Sequence, residues 1–177
     1  MGNVYIFRGK AATGKTTLAN MLAKKLSIPV FCKDDIVDAL KITEGFEWNT
    51  DNRVMRNAMC YNILQKMMQT NIDLGIDFVM DIALGDRTGA EEFLNRLDFK
   101  NSRVLKFFID CSDDNEWKRR HEERIKNPLP HQSFKSFKHV VEHYEKFDLK
   151  PFDDEYLIDT SSTIEKCIGD IHKIIDK

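Results

Sequence analysis

The residues best suited to chemistry lie in one loop near the amino end of the chain. Gly9 to Thr16 reads GKAATGKT and fits the phosphate-loop pattern G-x-x-x-x-G-K-[ST]. An apolar run, Val4 to Phe7, precedes this loop, and a helical pattern, Thr17 to Leu26, follows it. Backbone N–H groups of such a loop and the dipole of the helix attract an anion, and the glycines let the main chain approach it closely. The pattern therefore predicts a nucleotide phosphate site.

Two side chains of this phosphate loop have individual roles. Lys15 provides a point charge for the outer phosphates, and the hydroxyl of Thr16 can bind Mg²⁺. Ala12 stands where many such loops have a third glycine, but both defining glycines are present. The residues expected to contact the nucleotide here are Gly9, Ala11, Ala12, Thr13, Gly14, Lys15, Thr16 and Thr17.

Two aspartates follow the second apolar run, Val30 to Cys32, where an acceptor hydroxyl would lie opposite the terminal phosphate. We expect Asp34 to orient that hydroxyl and accept its proton, and Asp35 to cap a helix that begins at Ile36. The sequence leaves the reverse assignment of these two roles open.

A further aspartate, Asp81, ends the apolar run Phe78 to Met80. A carboxylate at the end of a buried strand is suited to bind Mg²⁺ and its waters beside a phosphate loop. Its alternative role is structural, as the acceptor of a hydrogen bond from the turn that follows the strand. We expect the magnesium role, with Thr16 as the second protein ligand.

A strongly charged helical segment carries Arg120 and Arg124, which share one face because they are four residues apart. Two guanidinium groups on one face can neutralise the charge that develops on a transferring phosphoryl group. The alternative is a solvated face of Glu–Arg pairs. Because prolines end the segment, we expect residues 117–135 to form a lid that closes over the nucleotide.

One motif points to different chemistry. His139 to His143 reads HVVEH, the H-x-x-E-H pattern of some zinc peptidases, with both histidines on one side of a helix. No convincing third zinc ligand follows in the sequence, and the phosphate loop already indicates a different function for the chain. We therefore expect these histidines to lie on a helix surface.

Strand-like runs alternate with helical patterns along the whole chain, which predicts a parallel sheet with helices on both faces. Ligands of such sheets bind at the carboxyl ends of the strands. The groups expected to surround one cleft are therefore the phosphate loop, Asp34 and Asp35, Asp81 with the turn after it, Asp110, and the turn at residues 159–161.

The longest helical pattern, about residues 51–74, bears an apolar stripe that we expect to pack in the core rather than to bind a cofactor. The stripe consists of Met55, Met59, Ile63 and Met67.

Composition is that of an ordinary globular protein: the 177 residues are 42% hydrophobic and 32% charged, which predicts one domain, residues 1–177. The net charge of −2 disfavours nucleic acid as a partner and gives no attraction to a membrane. The four cysteines are far apart, which indicates reduced thiols. No secretory signal or membrane-spanning run is evident, so we expect a cytoplasmic protein.

These motifs, in this order, resemble the small P-loop kinases of the nucleoside-monophosphate-kinase-like group, and most nearly its branch of polynucleotide 5′-kinases, zeta toxins and antibiotic phosphotransferases. The resemblance implies a three-layer α/β sandwich of five parallel strands, in the order 2-3-1-4-5, with a helical lid. It also implies a catalytic base at Asp34, a strand-end carboxylate at Asp81 and lid arginines at Arg120 and Arg124. The turn that contains Ser161 resembles the loop that packs on adenine in that branch, so Ser161 joins the predicted nucleotide contacts.

The expected activity is an ATP- and Mg²⁺-dependent transfer of the γ-phosphate to a hydroxyl of a small molecule. The residues expected to carry catalysis are Lys15, Asp34, Arg120 and Arg124. Residues 42–56, the expected acceptor region, do not match a member of the branch that we can identify, so the sequence does not name the acceptor. Trp48, Arg53 and Arg56 are candidate contacts to it.

Two other functions remain as alternatives. One is a polynucleotide 5′-hydroxyl kinase, and the other is a nucleotide-binding regulatory or toxin-type protein that turns over poorly. The lack of an Asn-Lys-x-Asp motif argues against a GTPase. Both a monomer and a homodimer are compatible with the sequence.

Overall fold

The computed structural model describes residues 2–43, 53–84, 86–132 and 134–177, with only the main chain at residue 53. Strands and helices alternate through these residues. They are β1 (Asn3–Gly9), α1 (Lys15–Leu26), β2 (Val30–Cys32), α2 (Lys33–Ile42), α3 (Arg53–Leu74), β3 (Phe78–Asp81), α4 (Arg87–Asn95), β4 (Arg103–Asp110), α5 (Asp114–Lys126), α6 (Phe137–Tyr144), β5 (Glu155–Asp159) and α7 (Ile164–Ile175).

The strands form one parallel sheet in the order β2-β3-β1-β4-β5. This confirms the kinase-type order and the three-layer arrangement that the sequence predicted. The most continuously apolar strand, β1, lies at the centre, where both of its faces are buried. Its register places Phe7 beside Asp81 of β3 and Phe107 of β4. Asp81 in turn pairs with Cys32 of β2, so the ends of β2 and β3 meet the start of the phosphate loop.

Alternate residues of the strands build a separate core on each face of the sheet. Val4 and Ile6 of β1 point toward α3 and α4, whereas Tyr5 and Phe7 point toward α1 and α7. A smaller cluster, around Trp117 of α5, packs against the phosphate loop. Helices α5 and α6 therefore support the loop from the carboxyl end of the sheet.

The expectation for the apolar stripe of α3 is wrong. Met55 is 61% exposed, and Met59, Ile63 and Met67 are each about two-fifths exposed. The helix carries a second apolar stripe, also at intervals of four residues, and this one is buried: Cys60, Leu64, Met68 and Ile72. Because the two stripes have the same periodicity, the sequence pattern does not tell which one faces the sheet.

None of the helices in the described part of the chain combines the length and apolar character needed to cross a bilayer.

Helix α2 begins three residues earlier than predicted. Cys32 is the residue that precedes its first turn, and it makes no side-chain capping bond, so the prediction that Asp35 caps this helix is wrong. Asp34 and Asp35 instead lie within the first turn. Carboxylates there interact favourably with the positive end of the helix dipole, which explains why the helix can start without a capping side chain.

A buried ion pair fixes β1 to the edge of the sheet. Arg8 of β1 is fully buried, and its guanidinium lies between the rings of Phe108 and Phe152, at 4.7 and 4.3 Å from their centroids. Its Nε and Nη2 donate to the Glu155 carboxylate at 2.5 and 2.8 Å, and Nη2 also donates to the Lys150 carbonyl at 2.6 Å. The side chain of Glu155 is equally inaccessible to solvent.

Replacing Glu155 with glutamine should destabilise the protein by about 3–5 kcal/mol, because it leaves the buried Arg8 cation without a counter-charge. Urea denaturation followed by circular dichroism measures the change in the free energy of unfolding. The matched control is Asp154→Asn, since Asp154 pairs with Lys106 but its side chain is 65% exposed, and we expect a loss below about 1 kcal/mol there. Equal losses for the two variants would contradict the role given to the buried pair.

Candidate active site

Two glycines and one alanine give the phosphate loop its shape. Gly9 has φ +146°, and a Cβ at this position would collide with the carbonyl oxygen of Ile109. Gly14, with φ +89°, precedes the first turn of α1. Ala12 also adopts a left-handed conformation, with φ +62°. This conformation explains why glycine is common at that position, since a residue with a side chain is strained there by about 1–2 kcal/mol.

Side chains from outside the loop hold its main chain in place. The N–H of Ala11 donates to the hydroxyl of Tyr144, and the Ala11 carbonyl accepts from the indole of Trp117, both at 2.8 Å. The carbonyl of Thr13 accepts from the hydroxyl of Thr160 at 2.6 Å. Helices α5 and α6 and the turn after β5 thus position the loop before any ligand arrives.

A cavity of about 510 Å³ opens between the phosphate loop, α2, α5, α6 and the turn after β5. Its size falls within the range of small-molecule sites. The predicted site residues that line it are Ala11, Ala12, Gly14, Lys15, Thr16, Thr17, Asp34, Arg120 and Arg124. The residues predicted at the cleft that do not line this cavity are Gly9, Thr13, Asp35, Asp81, Asp110, Asp159 and Ser161.

Lys15 and Asp81 form an ion pair at the base of the site. The Lys15 Nζ is 2.5 Å from Asp81 Oδ1, and the two side chains are 9% and 0% exposed. Burial disfavours the charged amine, but the charge of Asp81 and its hydrogen bond outweigh burial, so the pKa of Lys15 is raised. Lys15 therefore keeps its positive charge in this buried position.

Cys32 lies on the other side of the same carboxylate, with its Sγ 3.8 Å from Asp81 Oδ2. Burial, together with the charges of Asp81 and Asp34, raises the pKa of the Cys32 thiol to about 12. The thiol is therefore protonated and is no nucleophile at neutral pH.

Of the two adjacent aspartates in the first turn of α2, Asp34 and Asp35, only Asp34 lines the cavity. Its side chain is 31% exposed, with one oxygen 4.0 Å from the Lys33 ammonium and the other 3.5 Å from Nε2 of His131. Asp35 is exposed. Asp34 is thus the carboxylate of this pair that a ligand in the cavity can reach.

The two predicted lid arginines both line the cavity, and each is held by a hydrogen bond. Arg120 donates to the Thr160 hydroxyl at 3.0 Å and to the Thr160 carbonyl at 2.6 Å. Arg124 contacts Nε2 of His131 at 2.7 Å. Glu–Arg pairing, the alternative for this helix, also occurs: hydrogen bonds from Arg119 and Arg120 lower the pKa of Glu116 to about 2.

Ser161 does not line the cavity and instead takes part in a hydrogen-bond network with Asp159 and Ser112. Its hydroxyl donates to Asp159 at 2.8 Å, and the hydroxyl of Ser112 donates to the same carboxylate at 2.6 Å. Burial acts to raise the pKa of Asp159, but the hydrogen bonds from Ser112 and Ser161 lower it overall. Within this turn, Thr160 and Ser162 line the cavity instead.

Several residues of the site were missed by the sequence analysis. Tyr144 and Trp117 hold the loop, and His121 lines the cavity although it is only 1% exposed. Burial, reinforced by the charge of Arg124, lowers the pKa of His121. His131 belongs to residues 117–135, the segment predicted as a lid. Its place in that segment is the signal in the sequence that could have identified it as a site residue.

Of the three residues predicted to contact the acceptor, the structure describes the side chain of Arg56. Trp48 lies outside the described residues, as does the side chain of Arg53, whose main chain begins α3. Arg56 is 4% exposed and lies one turn further along the same helix.

The residues present fit a magnesium ion better than a zinc ion. Thr16 lines the cavity, and Asp81, which pairs with Lys15, ends β3; a hydroxyl and a carboxylate are oxygen ligands of the kind that Mg²⁺ prefers. His139 and His143 of the H-x-x-E-H motif instead lie with their rings 5.5 and 5.0 Å from that of Phe134. Among the described residues, no group of three or more histidine, cysteine or acidic side chains is arranged to hold a metal.

Comparison with known families identified the part of the chain that contains the phosphate loop. A family model described as an AAA domain, AAA_33, matches residues 4–144, which run from β1 to the end of α6 and include the phosphate loop. The comparison with curated proteins gave no match.

Solved structures with the same fold include three described as kinases. A presumed kinase from Chloroflexus aurantiacus is 20% identical, with a TM-score of 0.71, and the alignment covers 99% of this chain and 96% of that one. A sugar kinase from a Janibacter species is 15% identical, with a TM-score of 0.65 and coverage of 99% and 95%. A gluconokinase from Sinorhizobium meliloti is 12% identical, with a TM-score of 0.62 and coverage of 98% and 93%. At these identities the likeness establishes the fold, and it does not separate the branches of the kinase group.

Replacing Lys15 with methionine should lower the free energy of unfolding by about 3 kcal/mol, because Asp81 is then a buried charge without a partner. Adding Asp81→Asn to that variant should restore much of the loss, which urea denaturation can measure. Since the pKa of Lys15 is raised in the folded state, the pair stabilises the protein below about pH 10.5. The difference between wild type and Lys15→Met should therefore shrink as the pH rises above that value. Additive losses for the two substitutions would contradict the pairing.

Proposed function

Because the chain belongs to the AAA domain family, AAA_33, we propose that it is an ATP- and Mg²⁺-dependent phosphotransferase that acts on a hydroxyl of a small molecule. The observation that carries the proposal is that one cavity brings together the phosphate loop, Asp34 and the two arginines of α5. A phosphate-binding loop alone serves many nucleotide-binding proteins. Asp34, a half-buried carboxylate that lines the same cavity, adds a group that can orient an acceptor hydroxyl and accept its proton.

The phosphate loop and the first turn of α1 would hold the triphosphate. Free N–H groups at a helix start bind anions, and α1 starts directly at Lys15. In the structure the Lys15 ammonium forms an ion pair with Asp81. We infer that the β- and γ-phosphates compete for it, so that nucleotide binding draws Lys15 away from the carboxylate.

The acceptor hydroxyl would lie between the γ-phosphate and Asp34. Its oxygen forms a bond to the γ-phosphorus, the bond between that phosphorus and the leaving ADP oxygen breaks, and the proton passes to the Asp34 carboxylate. Asp34 suits this task because it reaches the cavity from the first turn of α2 while Asp35 is exposed. Arg120 and Arg124 would neutralise charge on the transferring and leaving groups.

Thr16 and Asp81 would hold the magnesium ion. When bound, Mg²⁺ neutralises charge on the phosphate oxygens and orients them. Withdrawal of Lys15 toward the phosphates would leave the Asp81 carboxylate available for this role.

Polyhydroxylated compounds are the first acceptors to examine. Two of the structurally similar proteins are named a sugar kinase and a gluconokinase. A screen for ADP release with sugars, sugar acids, nucleosides and aminoglycosides covers this class and the wider predictions from sequence. An oligonucleotide with a free 5′-hydroxyl, included in the same screen, tests the polynucleotide kinase alternative.

Replacing Asp34 with asparagine should lower the rate of phosphoryl transfer by about 10²–10⁴-fold, because the hydroxyl proton loses its acceptor. The dissociation constant for MgATP, measured by calorimetry, should change less than about threefold, since Asp34 lies opposite the phosphate loop. Asp35→Asn is the matched control, as it removes a neighbouring, exposed carboxylate from the same helical turn.

The opposite result, an active Asp34→Asn and an inactive Asp35→Asn, would assign the role to Asp35. Full activity in both variants would overturn the proposed use of either carboxylate. MgATP binding without turnover of any acceptor would support the alternative of a regulatory or toxin-type protein.

A further inference from the structure

One imidazole joins the loop after α5 to helix α2. The side chain of His131 is 13% exposed and lies between the two elements. Its Nδ1 is 2.9 Å from Oδ2 of Asp38. Its Nε2 is 2.7 Å from a guanidinium nitrogen of Arg124 and 3.5 Å from Oδ2 of Asp34. Both residues that Nε2 approaches are assigned to the phosphoryl-transfer site.

The partners of His131 determine which nitrogen carries the proton. A guanidinium group can only donate hydrogen bonds, so in this contact Arg124 donates and Nε2 accepts. The proton then lies on Nδ1, which donates to the Asp38 carboxylate. A carboxylate bound to one ring nitrogen in this way fixes both the tautomer and the orientation of the imidazole.

The position of Asp38 on α2 allows it to orient the His131 ring toward Asp34. Asp38 follows Asp34 by one helical turn, so the two carboxylates share a face. A ring bound through Nδ1 to Asp38 therefore presents Nε2 to Asp34. In the part of the chain that the structure describes, the charged groups that face the ring are Arg124 of α5 and three carboxylates of α2: Asp34, Asp38 and, at a greater distance, Asp35.

Other contacts of Asp38 and of the loop are consistent with this placement. The second oxygen of Asp38, Oδ1, is buried and has no hydrogen-bond partner among the described residues, so His131 supplies the bond that orients this side chain. The ammonium of Lys41, at the end of α2, donates to the Pro130 carbonyl at 2.5 Å. The loop therefore contacts α2 at two points, one turn of helix apart.

We propose that His131, held by Asp38, is a positioning residue that links the lid arginine Arg124 to the acceptor-binding carboxylate Asp34. The inference rests on the proposed function. Arg124 has two competing acceptors, Nε2 of His131 and a nucleotide phosphate, and a phosphate attracts it more strongly because it is charged. When Arg124 moves to the phosphate, the Nε2 lone pair is freed and faces Asp34.

That lone pair favours the state of Asp34 that the reaction produces. An ionised carboxylate offers Nε2 no hydrogen, but Asp34 gains an O–H once it has taken the proton from the acceptor hydroxyl. It then donates a hydrogen bond to Nε2, and no other bond changes. Since this interaction forms only as the proton is transferred, it lowers the barrier rather than strengthening ground-state binding.

The tautomer and its response to nucleotide can be measured without knowing the acceptor. Long-range ¹H–¹⁵N correlation spectra of protein labelled at histidine report which ring nitrogen is protonated, and His131→Gln identifies the signals of His131. We expect the Nδ1–H form in the free protein, its loss in Asp38→Ala, and a shift of the Nε2 resonance with the magnesium complex of a non-hydrolysable ATP analogue. A protonated Nε2, or a resonance unchanged at saturation with the analogue, would overturn the inference.

Turnover of MgATP, with water alone and with D-gluconate as test acceptor, gives the kinetic measurement. His131→Ala should lower kcat by about 10–100-fold and change the KM for ATP by less than about threefold, because a positioning group acts on the reaction step. His131→Gln should recover part of the rate, since its amide oxygen can replace Nε2 as an acceptor. Asp38→Ala should resemble His131→Ala, and the double variant should lose no more than either.

The control is His172→Ala on α7, which removes a half-buried histidine outside the cavity and should leave kcat unchanged. Failure of the protein to bind MgATP in calorimetry would overturn the proposed function. Normal binding and turnover in His131→Ala would overturn the inference alone. A loss of kcat that the double variant deepens multiplicatively would show that Asp38 does not act through His131.

Discussion

The arrangement of charged side chains at the base of the site depends on the ion pair between Lys15 and Asp81. It joins the start of α1 to the end of β3 in a place that solvent scarcely reaches. Neither charge can be buried alone without a large loss of stability, so each side chain keeps the other in place. A ligand that takes one of them must supply charge for both, and a nucleotide with its magnesium ion has that composition.

Two other cations at the cavity, Arg120 and Arg124, also have protein partners that a bound anion could replace. Arg120 is bonded to Thr160, and Arg124 to His131. Together with the Lys15–Asp81 pair, these contacts satisfy three cations at the cavity with the protein's own neutral and anionic groups. Their contacts are polar, short and reversible, whereas the main chain of the loop is held by Tyr144 and Trp117. Binding can therefore rearrange the side chains while the backbone that positions them stays in place.

Local patterns in the sequence were sufficient to predict the phosphate loop and the parallel sheet. Features that depend on distant parts of the chain were not predictable in this way. The pairing of Arg8 with Glu155 spans 147 residues, and that of His131 with Asp38 spans 93. The buried face of α3 was also ambiguous, because two apolar stripes with the same spacing compete for the sheet. The start of α2 was misplaced because the dipole, rather than a capping side chain, stabilises its first turn.

The left-handed backbone of Ala12 has a consequence for the thermodynamics of ligand association. Glycine would relieve the strain at φ +62° but would allow many more conformations in the unfolded chain. With alanine, and with its neighbour Ala11 bonded at both its N–H and its carbonyl, the loop has little freedom left to lose. Association then costs little conformational entropy at this point, so more of the interaction energy with an anion is retained as affinity.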